Sequence, residues 1–384
     1  MPHDGTIYLD HAATSWPKPP EVLEAIAYAL GPAGGNPNRS AHRLALAAAR
    51  LVLESRSTVA SFLGVRDARD LLFVPGCTFG LNMALKGLLE PGDRVVVSSV
   101  EHNAVVRPLA VLEKTGVEVV RIPTDGSGRI DLDAAEALVA ARPTKAVVCQ
   151  HASNVTGAIQ PIGDLADIAH DHGAVIVVDG AQAAGHLKVD VTALGADVYV
   201  ASGHKGLLGP QGVGVVCLAP GIEVRELVQG GSGGDSGSLA MPAARPDRYE
   251  ASTPPVPAIA GLGAAVEVLS REIDALVVQE QRLVQRLVAG LAAIDGVRVL
   301  GPASGEERAP VASIVHASVE PDRLAYELDS RYGIAVRAGL HCAPAAHAAV
   351  GTLETGAVRF SVGRGVTEAD VDLAVQAVRE VCSR

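Results

Sequence analysis

Residues 196–214 read ADVYVASGHKGLLGPQGVG, and this stretch is the most informative one for both fold and chemistry. The apolar, partly β-branched run VYVA predicts a short buried strand, and the glycines that follow predict a turn at its carboxyl end. Lys205 lies in that turn. A lysine there is either an ordinary solvated residue or a nucleophile held at the end of a strand, and the rest of the sequence has to decide between the two.

Comparable apolar runs recur through the first two thirds of the chain, and helical patterns separate several of them. Continuous β-branched strands that alternate with helices are typical of a mostly parallel sheet covered by helices on both faces. The sequence therefore predicts an α/β fold. The other predicted strands include RVVVSSV (94–100), VEVVRIP (117–123), KAVVCQH (145–151), AVIVVDG (174–180) and VGVVCLA (213–219).

Composition and charge exclude several classes of partner. The chain has 384 residues, 48% hydrophobic and 3% aromatic, a length that predicts two or three lobes. Its formal net charge is −11 without a basic stripe, which argues against nucleic acid and anionic membranes as partners. The N-terminus has no signal-peptide pattern, and no apolar run reaches the ~20 residues of a spanning helix. We therefore expect a cytoplasmic protein without a membrane segment.

The five cysteines, Cys77, Cys149, Cys217, Cys342 and Cys382, are widely separated and include no C-x-x-C pair. This spacing argues against a disulfide framework and against a four-cysteine zinc site. Because five is an odd number, at least one thiol should be free.

The chain changes character at residues 229–257, which are rich in Gly, Pro and Ser and which we interpret as a connection between two lobes. Before it, residues 38–64 predict one long helix that ends at a glycine. After it, residues 258–294 predict another long helix. Residues 367–382 predict a closing helix on which Thr367 and Asp370 form a capping box.

Polar side chains follow four of the predicted strands at the point where each strand ends. In an open parallel sheet, ligands bind beyond the carboxyl ends of the strands, so we expect these side chains to line one crevice. Any one of them alone is explained as well by a solvated loop or a satisfied buried polar group, but the coincidence at four strand ends favours a site. They are Glu101, His102, Asn103, His151, Asn154, Asp179, Gln182, Ser202, His204 and Lys205.

Asp179 ends an otherwise apolar strand, where an unpaired carboxylate would be costly to bury. A protonated pyridine nitrogen is a suitable partner, and a lysine Schiff base beside a carboxylate that faces that nitrogen is the arrangement that pyridoxal phosphate (PLP) requires. Of the six lysines in the chain, only Lys205 lies among glycines at the carboxyl end of a strand. We therefore predict PLP as the cofactor and Lys205 as the amine that binds its aldehyde.

The stretch VPGCTFGLNMALKGL (74–88) provides a candidate cradle for the cofactor phosphate. A glycine-led turn into a helix presents free N–H groups and the positive end of the helix dipole to an anion. Gly76, Cys77 and Thr78 would supply the amides, and Ser202 and His204 would complete the cradle. Taken alone, the same pattern describes an ordinary helix start equally well.

Seven motifs, occurring in order, resemble the class V aminotransferase-type PLP enzymes, specifically the branch of cysteine desulfurases and selenocysteine lyases. The resemblance covers essentially the whole chain. It implies a homodimer with the type I PLP-dependent transferase fold, with a large PLP-binding domain at 16–254 and a smaller α+β domain made of 1–15 and 255–384. The motifs are YLDHAATSWPKP, GNPNRSAH, SSVEHNAVVRPL, SNVTGAIQPI, VDGAQAAGHLKVDV, ASGHKGLLGPQGVG and RAGLHCAP.

The resemblance assigns roles to the residues expected around the cofactor ring. Lys205 matches the Schiff-base lysine, Asp179 the partner of the pyridine nitrogen, and Gln182 a donor to the phenolic oxygen. His102 matches the histidine stacked on the ring. Asn154 matches the amide that lies near the phenolic oxygen and the substrate.

Further matches concern the phosphate and the substrate. Thr78, Ser202 and His204 match phosphate ligands. Thr253, in EASTPP, matches a threonine that the neighbouring subunit gives to the phosphate. Arg359, in GAVRFSVG, matches the arginine that holds the substrate carboxylate, and its apolar surroundings predict that it waits for that carboxylate.

Three positions depart from the usual pattern of the family. Cys77 stands where threonine is common, and Ser252 stands where glycine is common. His11 stands where asparagine is usual, and we place it among the residues that bind the substrate.

Cys342 lies in VRAGLHCAP beside Arg337 and His341, in a Gly- and Pro-containing loop that suits a mobile thiol. A free cysteine is more often inert packing, but the resemblance implies that Cys342 is a nucleophile. The implied activity converts L-cysteine to L-alanine and leaves a persulfide on Cys342 for a sulfur-acceptor protein. Lys205 would take the Cα proton, with His102 or His341 as candidate proton handlers.

Two other functions stay open from the sequence. A selenocysteine lyase or another PLP-dependent C–S lyase of the same branch would depend less on Cys342. A non-catalytic metal-binding or sulfur-carrier protein would use His341, Cys342 and His347, although these three are too few and too irregularly spaced for a dependable tetrahedral site.

Overall fold

The computed structural model describes residues 5–37, 41–232 and 237–383. Residues 38–40, at the start of a predicted helix, and residues 233–236 of the predicted Gly-rich connection lie outside this part. The predicted α/β class with a mostly parallel central sheet is confirmed.

The strands of the described residues form three sheets, with seven, four and two strands. They are β1 (Ile7–Tyr8), β2 (Leu71–Val74), β3 (Arg94–Ser98), β4 (Glu118–Ile122), β5 (Ala146–Gln150), β6 (Val175–Asp179), β7 (Val198–Ser202), β8 (Gly214–Leu218), β9 (Val297–Leu300), β10 (Val311–His316), β11 (Ile334–Ala335), β12 (Arg337–Gly339) and β13 (Ala357–Ser361).

The helices cover the sheets and connect most of the strands. They are α1 (Pro20–Leu30), α2 (Arg43–Phe62), α3 (Cys77–Leu88), α4 (Asn103–Glu113), α5 (Leu132–Ala140), α6 (Ile162–Asp171), α7 (Val256–Ala292), α8 (Pro321–Tyr332), α9 (Pro344–Ala349) and α10 (Glu368–Cys382). Among the described helices, none combines the length and the apolar character needed to cross a membrane.

The seven-stranded sheet has the order β2-β8-β7-β6-β5-β3-β4. The strands from β7 to β4 pair in parallel, whereas β8 runs antiparallel to both β7 and β2. The register sets Gln150 opposite Asp179, and Asp179 opposite Val200. The carboxyl ends of β3, β5, β6 and β7 therefore lie side by side at one edge of the sheet.

Two apolar cores cover the two faces of this sheet. Along β7, Tyr199 and Ala201 belong to the core that contains residues of α2, α5, α6 and α7, while Val198 and Val200 belong to the core under α3 and α4. This alternation follows from the period of two residues in a strand. Because both faces are buried, the central strands are apolar throughout, as the sequence predicted.

Helix α7, with 37 residues, joins two parts of the molecule. Leu262 and Leu269 in its first half are fully buried in a core of the large sheet, and Leu283 and Leu291 in its second half are fully buried in the core of the four-stranded antiparallel sheet. Full burial of one such side chain stabilises the fold by about 1.5–3 kcal/mol. The packing of both halves fixes the second sheet to the first through one continuous rod.

The N-terminal segment packs with the C-terminal third of the chain. β1 pairs in parallel with β11, and Asp10 forms a bridge to Ser361. Leu9 belongs to the same core as the second half of α7. The domain boundaries at 15/16 and 254/255 stay a prediction.

Two predicted helix ends can be compared with the structure. The capping box is confirmed, because the N–H of Asp370 donates to Oγ1 of Thr367 and the N–H of Thr367 donates to Oδ2 of Asp370. The helix predicted at 38–64 is α2, which begins at Arg43 because Nδ1 of His42 accepts the N–H of Ala45 as a cap.

The loop that carries Lys205 packs against the loop after β6 through a close contact between two glycines. Gly185 has a φ of +86°, and a Cβ there would lie 2.1 Å from the carbonyl oxygen of Gly206. A Cβ on Gly206 would lie 2.4 Å from the carbonyl oxygen of Ala184. Only glycine at both positions allows this approach, which fixes the backbone beside Lys205.

Candidate active site

A cavity of about 650 Å³ opens at the carboxyl ends of β3, β5, β6 and β7. It brings together every residue predicted to hold the cofactor except Thr253. Those lining residues are Gly76, Cys77, Thr78, His102, Asn154, Asp179, Gln182, Ser202, His204 and Lys205.

Lys205 lies in the loop directly after β7 and lines the cavity. Its amine has no hydrogen-bond or ion-pair partner among the described residues. Burial lowers the pKa of the amine, because removal from water disfavours the charged form. A neutral amine is a nucleophile, so Lys205 is suited to attack a carbonyl group held in the cavity.

Asp179 is the last residue of β6 and is only 5% exposed. Its Oδ1 accepts the N–H of Ala181 at 2.9 Å and the thiol of Cys77 at 3.4 Å. Its Oδ2 has no partner among the described residues. The carboxyl group therefore keeps one oxygen for a cationic group in the cavity, where a charge-assisted hydrogen bond would offset the cost of its burial.

Helix α3 begins at the rim of the cavity with Gly76 as its N-cap, and no side chain caps it. Within the described residues, the amides of Cys77, Thr78 and Phe79 have no acceptor. A Cβ on Gly214 would lie 3.0 Å from Cα of Gly76, so glycine at the start of β8 lets the two backbones approach. Free amides at a helix start form an anion site.

Two side chains at the strand ends have defined hydrogen-bonding states. Nδ1 of His102 accepts the N–H of Ala104 at 3.0 Å, so Nε2 carries the proton of the neutral ring. Burial lowers the pKa of His102. Asn154 donates through Nδ2 to the carbonyl oxygen of His341 at 2.8 Å, while its Oδ1 is buried and accepts no hydrogen bond from any described residue.

Arg359 is 1% exposed and does not wait unpaired for a ligand, as its sequence context suggested. Its Nη2 donates to Oδ1 of Asp10 at 2.7 Å, and its Nη1 donates to the carbonyl oxygen of Asn154 at 3.3 Å. The Nε atom is buried and has no hydrogen-bond partner in the part of the chain that the structure describes. No local signal in the sequence indicated Asp10, because it lies 349 positions from Arg359.

The N-terminal segment closes one side of the site. The carbonyl oxygen of His204 accepts the N–H of Ser15 at 3.0 Å and the amine of Lys18 at 2.8 Å. Gln182 donates through Nε2 to the carbonyl oxygen of Ala12 at 2.9 Å, so one of its amide hydrogens is used within the chain. Sequence reasoning did not single out Lys18, although its position in the quoted N-terminal motif was the available signal.

His11 is buried beside the ring of Tyr8, and within residues 5–37, 41–232 and 237–383 neither of its ring nitrogens has a hydrogen-bond partner. It does not line the cavity but precedes Ala12, which contacts Gln182. Burial lowers the pKa of His11 to about 3, so the ring is neutral. Its predicted contact with substrate stays a prediction.

Cys342 is exposed, while Cys77, Cys149 and Cys217 are buried and Cys382 is half-buried. It lies in a turn between β12 and α9 in which the N–H of Ala343 donates to the carbonyl oxygen of Leu340. The two central residues, His341 and Cys342, have φ values of 50° and 56°. Positive φ at both central residues is the mark of a type I′ turn, and each such non-glycine residue costs about 1–2 kcal/mol.

Two hydrogen bonds connect this turn to the cavity. The carbonyl oxygen of Cys342 accepts the N–H of Asn103, the residue after His102, at 2.8 Å. The carbonyl oxygen of His341 accepts Nδ2 of Asn154 at 2.8 Å. The only exposed thiol of the described residues is therefore tied to residues at the rim of the cavity.

Thr253 is exposed and does not line the cavity. It lines a neighbouring cavity of about 300 Å³, which shares Pro75, Phe79 and Gly212 with the first one. Within a single chain, Thr253 and the helix start at Gly76 therefore belong to adjacent but separate cavities.

Glu101 is a strand-end residue that turns away from the cavity, and it is fully buried. Its Oε1 accepts the hydroxyl of Ser98 at 2.5 Å and the N–H of Gln150 at 2.7 Å, while Oε2 has no partner among the residues that the structure describes. Burial raises the pKa of Glu101 to about 8. Through these two hydrogen bonds, the neutral carboxyl group connects the end of β3 to the end of β5 next to His102.

A lysine and a carboxylate at the ends of adjacent strands, with a free helix start at the rim of the same cavity, are typical of an α/β enzyme of the aminotransferase kind. Residues 7–374 match the family model described as Aminotransferase class-V. The chain therefore belongs to the class V aminotransferase family.

Similar proteins narrow the branch. A probable cysteine desulfurase of Pseudomonas putida is 38% identical over 369 residues, which cover 93% of this chain and 88% of that protein. A probable cysteine desulfurase of Mycolicibacterium paratuberculosis is 33% identical over 385 residues, although the chain spans only 55% of that protein's length. The apo structure of cysteine desulfurase from Thermococcus onnurineus NA1 has a TM-score of 0.91 and 31% identity, covering 98% of this chain and 95% of that one. The predicted resemblance to this branch is confirmed.

The buried carboxyl group of Glu101 should make stability depend on pH. Because its pKa is raised from 4.5 to about 8, the folded state holds a proton that the unfolded chain releases between these values. Stability should therefore fall as the pH rises through this window. In Glu101→Gln, urea unfolding should show a smaller loss of stability between about pH 6 and about pH 9 than in the wild type.

Glu113→Gln, at the exposed end of α4, controls for the removal of a carboxylate. This variant should keep the wild-type difference in unfolding free energy between the two pH values. Equal pH dependence in Glu101→Gln and the wild type would contradict the assignment.

Proposed function

We propose that this chain is a PLP-dependent cysteine desulfurase that converts L-cysteine to L-alanine and collects the sulfur as a persulfide on Cys342. The observation that carries the proposal is the attachment of the exposed Cys342 turn to Asn103 and Asn154, at the rim of the cavity that contains Lys205. Family membership and the names of the similar proteins support the same activity.

The cavity residues fit PLP by their chemistry. The amine of Lys205 would bind the aldehyde, and the free oxygen of Asp179 would pair with the pyridine nitrogen. The amides of Gly76, Cys77 and Thr78 would hold the phosphate. Ser202 and His204 would complete the phosphate site, His102 would lie against the ring, and Gln182 would donate its remaining amide hydrogen.

When bound, PLP withdraws electrons from Cα of an attached amino acid and so makes the Cα proton acidic. The substrate amine would replace Lys205 on the aldehyde, and the freed amine of Lys205 would then supply the base, because burial lowers its pKa and increases the neutral fraction. Arg359, whose Nε has no partner, would hold the substrate carboxylate, and the free Oδ1 of Asn154 would accept a donor of the substrate.

The sulfur step needs no outside oxidant or reductant. Sγ of Cys342, as thiolate, forms a bond with the substrate sulfur while the bond from that sulfur to Cβ breaks. The electron pair of the broken bond stays with Cβ, which takes up a proton and becomes the methyl group of alanine, and a proton returned from Lys205 to Cα completes the product. The enzyme is left with Cys342–S–SH, whose outer sulfur must pass to a thiol-bearing acceptor.

A selenocysteine lyase is the second candidate within the same branch. The turn geometry does not decide between a sulfur and a selenium leaving group, so kcat/KM values for cysteine, selenocysteine, cysteine sulfinate and cystine separate the two.

The non-catalytic metal-binding alternative is disfavoured by the hydrogen bonds of its two histidines. All four ring nitrogens of His341 and His347 lie within hydrogen-bond distance of protein atoms. Among the described residues, no group of three or more His, Cys, Asp or Glu could hold a metal ion.

The cytoplasmic location stays a prediction.

Replacement of Cys342 tests the proposed function. Cys342→Ala should lose cysteine-to-alanine turnover by about 100-fold or more, because the thiol that accepts the sulfur is gone. The yellow colour of bound PLP, and its covalent fixation on Lys205 by borohydride, should persist. Cys382→Ala, which removes the half-buried cysteine of α10, should keep the wild-type rate. Unchanged turnover of Cys342→Ala in the presence of a reducing agent would contradict the role of Cys342 as the thiol that accepts the sulfur.

Replacement of Arg359 tests the carboxylate site. Arg359→Lys keeps a cation beside Asp10 but loses the planar set of donors, so KM for cysteine should rise about 10-fold or more, as expected for a charged hydrogen bond worth ~1.5–3 kcal/mol. The cofactor should stay bound. Arg364→Lys, at the half-exposed pair with Glu272, should leave KM unchanged and serves as the matched control. A wild-type KM in Arg359→Lys would make Arg359 a structural partner of Asp10 instead.

The proposal also includes a homodimer. Thr253 is exposed and lines a cavity beside the one that contains Lys205, a position that supports its assignment to the partner's phosphate site. Dilution that separates the subunits should therefore release PLP. Sedimentation velocity that shows an active monomer with cofactor would contradict this.

A further inference from the structure

Three buried side chains form a chain of hydrogen bonds beneath the Cys342 turn. Oγ1 of Thr352 lies 2.7 Å from Nδ1 of His347, and Nε2 of His347 lies 3.1 Å from Nδ1 of His341. Nε2 of His341 lies 3.0 Å from the carbonyl oxygen of Arg337, in β12. The sequence suggested His341 as a proton handler, whereas His347 and Thr352 have no role in the proposed reaction.

The carbonyl oxygen at the end of the chain determines the direction of every bond in it. A carbonyl only accepts, so Nε2 of His341 must carry a proton, and Nδ1 of a neutral His341 must accept. His347 then donates from Nε2 and accepts at Nδ1, which leaves the hydroxyl of Thr352 as the first donor. The opposite direction would place two acceptors face to face at the Arg337 carbonyl.

The neutral state of both rings is supported by their burial. Burial lowers the pKa of His341 to about 3 and the pKa of His347 to about 4. Both ring nitrogens of His341 already make hydrogen bonds, so neither is free to take a proton from substrate or thiol. His341 is therefore a poor candidate for the proton handler that the sequence suggested.

The chain ends on the residue that shares the strained turn with Cys342. His341 is held through both ring nitrogens and through its carbonyl oxygen, while Cys342 is held by its carbonyl oxygen, which accepts the N–H of Asn103, and by a long contact of 3.9 Å from Nη2 of Arg337 to its exposed Sγ. A turn with two non-glycine residues at positive φ persists only where its surroundings hold it. The ring of His341 is therefore the main anchor of the turn, and His347 fixes that ring.

We propose that His347 and Thr352 are positioning residues: Thr352 selects the tautomer of His347, and His347 locks the His341–Cys342 turn in the conformation that presents the thiol. The proposal rests on the proposed function for its kinetic part, since it assigns to the thiol the sulfur-accepting role. It rests on the hydrogen-bond directions alone for its structural part.

Two pairs of variants separate the bonds of the chain. In His347→Gln the longer amide keeps a donor near the former Nε2 position, whereas in His347→Asn the shorter amide keeps only the acceptor toward Thr352. Thr352→Val removes the hydroxyl with little change of shape, and Thr352→Ser restores it.

The kinetic readout uses the PLP-loaded enzyme with cysteine. We expect kcat of His347→Asn to fall about 10-fold, as for the loss of one buried hydrogen bond, while KM changes less than about 2-fold. His347→Gln and Thr352→Ser should keep kcat within about 3-fold of the wild-type value. In Thr352→Val, kcat should fall by about as much as in His347→Asn. Equal kcat in His347→Asn and His347→Gln, or a loss carried by KM, overturns the proposal.

The second readout does not depend on turnover. Hydrogen–deuterium exchange of the holo-protein, resolved by peptide mass spectrometry, should be faster across residues 337–343 in His347→Asn and Thr352→Val. The control variants His347→Gln and Thr352→Ser should keep the wild-type exchange rate there. If the wild type lacked desulfurase activity but this pattern appeared, the proposed function would fail while the anchoring chain would stand. Identical exchange in all four variants and the wild type would overturn the proposed hydrogen-bond chain from Thr352 to His341. If His347→Asn does not fold, the difference in exchange between Thr352→Val and Thr352→Ser decides between these outcomes.

Discussion

Parallel pairing of β3, β5, β6 and β7 is the constraint on which the rest of the molecule depends. Its register sets Gln150 beside Asp179 and Asp179 beside Val200, so the polar residues that follow these strands emerge at one edge. Burial on both faces requires apolar strands, and the polar groups are therefore confined to the strand ends. The positions of the carboxylate and the lysine follow from that one hydrogen-bonded arrangement, while the helix start reaches the same edge through β2, which pairs with β8.

The interior next to the cavity contains ionisable groups that burial keeps neutral. Desolvation lowers the pKa of His151 and His204 to about 4 and raises that of Glu101 to about 8. Each neutral group still makes directional hydrogen bonds, to Tyr199, Thr14 and Ser98 respectively. The site thus gains rigidity from neutral polar groups, while Asp179, Arg337 and Arg359 are the charged groups that act on the Lys205 amine.

Local patterns were enough to predict the sheet, the site at its carboxyl edge and the two residues at its centre. Lys205 and Asp179 each follow or end an apolar run, and periodicity reveals such positions without knowledge of the partner strands. The pairing of Arg359 with Asp10 could not be predicted in this way, because the two are distant in sequence and neither neighbourhood refers to the other. The same holds for His347 and Thr352, whose importance depends on the direction of hydrogen bonds that only coordinates reveal.

The contact between Asp10 and Arg359 also bears on how the protein is made. The two residues are 349 positions apart, and at roughly 5–20 residues per second the ribosome takes roughly 20–70 s to produce the second after the first. During that interval the N-terminal segment has neither β11 nor Arg359 to pair with. Completion of the pocket is therefore a late event in biogenesis, and a nascent chain arrested before its last strand would carry an assembled central sheet but an open site.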